Sequence, residues 1–141
     1  MARSYWLVKS EPTSYAWEQL VKDGRTVWDG VRNPLARQHL AAMRPGDLVL
    51  YYHSNVGKEV VGIARVTRAA YPDPEDASGR WLVVDVEPVR PLAEPVSLAT
   101  IKADPAFEGL ALIRQSRLSV MPVAKPHFER ILALGKTRMP R

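Results

Sequence analysis

Apolar residues in this chain come in short runs, separated by Pro, Gly, Asn and Asp. Tyr5-Trp6-Leu7-Val8 reads as a first strand, and Lys9-Ser10-Glu11-Pro12 ends it because Pro12 cannot continue a ladder. Trp17, Leu20 and Val21 fall at i, i+3 and i+4. That spacing predicts a short helix over 15–22, with Ser14 as its cap and Asp23-Gly24 as its stop. Asn33 followed by Pro34 marks a second helix start, the Asn side chain capping and Pro34 in the first turn. This helix is expected to reach Met43, with Leu35, His39 and Met43 on one stripe and Ala36 and Leu40 beside it.

Beyond the turn at Arg44-Pro45-Gly46-Asp47 the period changes to two. Strands are predicted over 48–53, 59–68 and 81–89. The second is apolar on both faces, which suggests a small barrel or a doubly covered sheet. Residues 69–79 are expected to form a loop, and Pro88, Pro91 and Pro95 to limit regular structure after the third strand. Short helices are predicted over 97–102 and 108–114, a closing strand over 119–123 and a last helix over 126–134. In that helix Phe128, Ile131 and Leu132 face inward and Gly135 serves as the C-cap. The strands should be short and mostly antiparallel. The resulting expectation is α+β: one domain over 1–141, a small curved β-barrel flanked by short helices, with 136–141 as a mobile basic tail.

Composition narrows the chemistry. A chain of 141 residues with 46% hydrophobic content fits one globular core. There is no cysteine, so disulfides, thiolate nucleophiles and cysteine zinc sites are excluded. Only Arg3 precedes the first strand-like stretch, and no apolar h-region follows, so neither a signal peptide nor a membrane span is expected. A cytoplasmic setting is expected. The net charge of +5 is uneven: residues 114–141 carry seven Lys or Arg and one acid, whereas residues 1–113 carry thirteen bases and fourteen acids. A basic C-terminal fifth either draws in polyanions or forms a solubilising face.

Catalytic motifs are missing. His39, His53 and His127 are too widely spaced to suggest zinc, and there is no Walker, dinucleotide or nucleophile-elbow pattern. No catalytic residue, metal or cofactor is assigned. Four segments stand out instead. Lys9, Ser10 and Glu11 end an apolar strand, where polar groups line a pocket mouth or a solvated turn. Trp28-Asp29-Gly30-Val31-Arg32-Asn33 sets a flat ring beside donors, or else a core Trp beside a turn. Tyr51-Tyr52-His53-Ser54-Asn55 has the ingredients for stacking on and edge-reading a heteroaromatic ring, or for ordinary strand packing. Arg114-Gln115-Ser116-Arg117-Leu118-Ser119-Val120 anchors apolar residues while Arg117 turns to a ligand, or to an internal acid such as Glu11 or Asp29.

Together with Gly46-Asp47 and Tyr71-Pro72-Asp73, these segments resemble the EVE domain family in order, over about residues 4–134. The resemblance implies a PUA-like fold and a non-catalytic module that binds DNA or RNA, with a single modified nucleobase turned out into an aromatic-lined pocket. By the same resemblance the pocket draws on Trp6, Lys9, Ser10, Trp28, Val31, Asn33, Ser54 and Ser119. Arg32, Arg114 and Arg117 are the expected backbone or anion contacts. Pro34 departs from the family pattern and would stiffen the helix entrance and alter the pocket rim. The competing readings are a nucleotide- or nucleic-acid-processing enzyme and a protein-interaction module; no membrane partner is expected.

Overall fold

The computed structural model describes residues 3–140. Its centre is a six-stranded sheet in the order β2-β5-β4-β3-β1-β6. The strands are β1 (Tyr5–Ser10), β2 (Thr26–Trp28), β3 (Leu48–His53), β4 (Glu59–Pro72), β5 (Leu82–Ser97) and β6 (Val120–Pro122). β1 pairs with β3 in parallel and the other pairs are antiparallel. The parallel pair follows from the long crossover, which holds three helices and β2 and so returns the chain in its original direction.

The helices are α1 (Pro12–Tyr15), α2 (Trp17–Asp23), α3 (Pro34–Ala42), α4 (Leu98–Ala103), α5 (Ala111–Arg114) and α6 (Lys125–Leu134). Asn33 caps α3, its side chain accepting from Ala36 N–H at 3.0 Å. Phe128, Ile131 and Leu132 of α6 are buried, as their spacing predicts. The stripe of α3 is rotated from its expected position. Ala36, Leu40 and Met43 are buried, while Leu35 is exposed and His39 half-buried. Val21 likewise points to solvent, and α2 buries only Trp17 and Leu20.

Three expectations are corrected. The helix predicted over 15–22 is two helices at an elbow, because Ala16 is extended; Ser14 therefore lies inside α1 and caps nothing. Thr26–Trp28, to which the sequence reading assigns no element, is an edge strand on Val84–Val86. β4 and β5 are long, at 14 and 16 residues, and β5 runs through all three prolines. Past Val86 its outer side has no strand partner among the described residues, since β2 pairs only Val84–Val86. On the β4 side the register shifts between Ile63 and Ala64 and between Val60 and Gly62. These irregularities absorb the missing proline N–H groups and bend the sheet.

The bend makes the sheet a curved half-barrel with helices around it. The core fills its concavity and the space beneath α3 and α6. At one side Asp47 is buried and accepts from Trp6 Nε1 at 3.0 Å, Ser4 N at 2.9 Å and Arg44 N at 2.9 Å. The C-terminal segment returns to β5. Thr137 Oγ1 accepts from Ala93 N at 2.8 Å, and Lys136 pairs with Glu94 at 3.1 Å. Pro140 is buried and its carbonyl accepts from Arg3. Arg141 of the expected mobile tail lies outside the described residues.

Trp17 fixes α2 on the sheet by lying on a glycine. A Cβ added to Gly62 would fall 2.7 Å from three carbons of the Trp17 ring. Gly62→Ala is therefore predicted to destabilise the fold by about 1–3 kcal/mol through overpacking. Urea denaturation checks this, and an unchanged midpoint would contradict the close approach.

Candidate nucleic-acid interface

β2 and β6 lie at opposite ends of the sheet order, yet residues from β2 and the residue preceding β6 line one cavity. The sheet thus curls until its edges face each other, and a space of about 440 Å³ opens between them. That volume lies in the range of small-molecule pockets, roughly 300–1,000 Å³. The end of β1 supplies Lys9 and Ser10, α1 supplies Ser14 and Tyr15, and Ser119 closes the far side. The remaining wall runs from Thr26 to Val31 and includes Trp28. Gly30 turns this wall with φ of +76°, a left-handed conformation that a side chain would strain.

Trp28 is held from behind. Its ring meets Tyr51 edge-on, with centroids 5.5 Å apart and planes at 83°, and Tyr51 meets Trp17 at 5.5 Å and 66°. Such edge-to-face pairs are favoured by the ring quadrupoles. Tyr15 stands beside Trp28 at 6.5 Å, also edge-on. His53 completes the cluster, its Nε2 accepting from Trp17 N–H at 3.0 Å. These contacts leave Trp28 buried against the core, with 8% of its surface exposed.

The polar wall is equally fixed. Two hydroxyls converge on the Tyr15 carbonyl: Ser10 Oγ at 2.8 Å and Tyr51 Oη at 2.6 Å. They clamp the α1–α2 elbow to β1 and β3. Burial pushes the Tyr51 phenol well above its ordinary pKa, so it remains a donor. Lys9 Nζ donates to Ser116 O at 2.8 Å, and Lys9 N donates to Ser119 O at 2.9 Å. Burial holds the Lys9 ammonium below its usual pKa, because its charge is only half solvated. The cavity combines an aromatic and valine wall with hydroxyls, backbone and one cation.

The structure brings Lys9, Ser10, Trp28, Val31 and Ser119 of the expected pocket together. It places the others elsewhere. Trp6 lies outside this cavity because its indole N–H is spent on buried Asp47, and its ring packs near His39 at 6.1 Å. Asn33 is turned away by its capping role and lines a shallower groove with Arg114 and Arg117. Ser54 lines a third groove, beyond Lys9. Pro34 sits beside Arg37 and Trp81 rather than on the cavity rim.

Arg32 is partly engaged, paired with buried Asp73 at 3.2 Å and lying 5.7 Å from the Trp81 ring centre. Arg117 is exposed, and neither Glu11 nor Asp29 pairs with it; Glu11 accepts from Asn55 instead. Of the other C-terminal bases, Arg130 pairs with Asp104 at 2.9 Å. Ser14, Tyr15, Thr26 and Val27 belong to the cavity and were missed in the sequence. The Thr-Val-Trp alternation was the available signal for an edge strand there. Among the described residues no group of three or more His, Asp or Glu is placed to hold a metal.

The EVE domain family profile matches residues 4–134. The chain belongs to the EVE domain family, within the PUA-like superfamily. Human thymocyte nuclear protein 1 is 30% identical to this EVE domain, over 93% of this chain and 73% of that protein. The NMR structure of Rpa0253 from Rhodopseudomonas palustris matches with a TM-score of 0.90 at 50% identity, over 94% of this chain and 93% of that one. The crystal structure of human THYN1 in complex with DNA containing 5-methylcytosine matches with a TM-score of 0.87 at 29% identity, over 96% of this chain and 99% of that one.

The clamp on the Tyr15 carbonyl in this EVE domain can be measured. Tyr51→Phe leaves Ser10 as donor and is predicted to cost about 1 kcal/mol. Ser10→Ala combined with Tyr51→Phe removes both donors and should cost more than the two single changes added together. A double-mutant cycle by urea denaturation reads this coupling; strict additivity would show that the two hydroxyls do not share the carbonyl.

Proposed function

We propose that this EVE domain is a non-catalytic DNA-binding module that accepts one base, turned out of its stack, into the cavity between the sheet edges. The observation that carries the reading is the cavity itself: an aromatic wall, hydroxyls and one lysine, in a chain whose human relative was crystallised with DNA containing 5-methylcytosine.

The physical argument is an exchange. Extruding a base costs a few kcal/mol, least where it is single-stranded or weakly paired. Contact with an aromatic side chain returns roughly 1–3 kcal/mol per base. Trp28 supplies that contact, and its own position costs no further ordering because Tyr51 and Tyr15 already hold it. Ser10, Ser119 and the backbone of 28–31 offer donors and acceptors to a base edge. Val31 and Val27 offer apolar contact to a substituent such as a methyl group. One buried methyl is worth about 0.8 kcal/mol, which is about fourfold in affinity. Exposed Arg114 and Arg117 hold the backbone without reading sequence. Binding needs no covalent step.

The test is fluorescence anisotropy with short single-stranded and duplex oligonucleotides carrying cytosine or 5-methylcytosine. The modified single strand should bind several-fold tighter than the unmodified one. Trp28→Ala, checked for its thermal transition, should weaken binding by about 1–3 kcal/mol and remove the preference. Unchanged affinity in the folded variant would refute the stacking role, and turnover of the oligonucleotide would favour an enzyme instead.

A further inference from the structure

The base cavity has a neighbour. A groove of about 270 Å³ lies across Lys9 and is lined by Tyr52, Ser54, Lys58 and Lys102, with Ser116 at the shared boundary. The Lys9–Ser116 hydrogen bond forms part of the partition, since Lys9 belongs to both spaces. An ammonium has three N–H donors. Lys9 commits one to the Ser116 carbonyl, and no carboxylate pairs with it among the described residues.

Lys58 and Lys102 are exposed, and no ion pair engages either among the described residues. They differ in this from Arg130 and Lys136, whose charges are met by Asp104 and Glu94. Glu11, at the same end of the sheet, is occupied by Asn55 Nδ2 at 2.6 Å. The frame is fixed by backbone bonds. Leu98 N donates to Lys58 O at 2.8 Å, joining α4 to the β3–β4 turn, and Ser54 N donates to Ser10 O at 3.0 Å. Three lysines from three distant segments therefore converge on one side of the base cavity.

We propose that this groove is a phosphodiester subsite, in which Lys58 and Lys102, with Lys9 at the boundary, hold the backbone flanking the base in the cavity. The proposal rests on the base-binding reading above, and contiguity through Lys9 is what favours a strand already seated in the cavity over an unrelated anion. Tyr52, buried beneath Lys9 with its ring centre 5.9 Å from Nζ, orients that ammonium at the boundary. A nucleic acid would thus be gripped on two sides, by this groove and by the Arg114–Arg117 ridge.

The experiment compares wild type with the K58Q/K102Q double variant; both side chains are exposed and outside the base cavity. Each is titrated by calorimetry with 5-methyl-2′-deoxycytidine and, over a range of salt, with a short single strand carrying that nucleotide centrally. Loss of two phosphate contacts should make the slope of log affinity against log salt shallower by about 1.4, while the nucleoside binds equally to both proteins. An unchanged slope overturns the subsite, as does loss of nucleoside binding in the variant. Failure of the base reading shows differently: wild type would bind the strand with no preference for the modified base and would not bind the nucleoside. A lysine-dependent slope in that setting still supports the backbone groove.

Discussion

The Tyr51 ring, wedged edge-on between Trp17 and Trp28, is the contact on which the rest of the structure depends. On one side it backs the indole that forms the cavity wall. On the other it meets the indole that lies on Gly62 and fixes α2 to the sheet. Its hydroxyl reaches the α1–α2 elbow, so one side chain ties β3, β2 and both short helices together. Removing the Tyr51 ring would take this edge contact from both indoles at once. A binding wall made of core residues is rigid before any ligand arrives, and preorganisation of this kind lowers the cost of binding.

Curvature does the remaining work. A flat sheet in this strand order would hold β2 four strands away from β1. The register shifts along β4 and β5 bend it until Thr26–Trp28 faces Lys9, Ser10 and Ser119. Prolines that would interrupt a central ladder sit where the ladder is already broken or lacks a partner. The same residues that look like loop punctuation in sequence therefore shape the half-barrel and its mouth.

Much of this was legible in the residues. The Asn33-Pro34 helix start, β3 over 48–53 and the inward face of α6 follow from spacing and capping alone. Five expected pocket residues converge because the strand end and the Trp28 turn carry the family's motifs. Other motif residues serve the frame: Asp47 gathers Trp6, Ser4 and Arg44, and Asp73 holds Arg32. A motif does not distinguish a residue that touches ligand from one that positions its neighbour, so the resemblance alone groups Trp6 and Asn33 with the residues that line the cavity. Charge counted along the chain finds only part of the cationic surface, Arg114 and Arg117. The excess counted along the chain lies at the C-terminus, where Arg130 and Lys136 are paired, whereas Lys9, Lys58 and Lys102 come from a segment with balanced charge and meet only in the folded protein.

The four tryptophans provide the most direct measurement, since each contributes one indole N–H signal in a nitrogen–proton correlation spectrum. On titration with 5-methyl-2′-deoxycytidine, the account predicts that the Trp28 signal moves most and saturably. Trp6, locked to Asp47 outside the cavity, should remain in place. A stationary Trp28, or a response centred on Trp6, would contradict a base bound between the sheet edges.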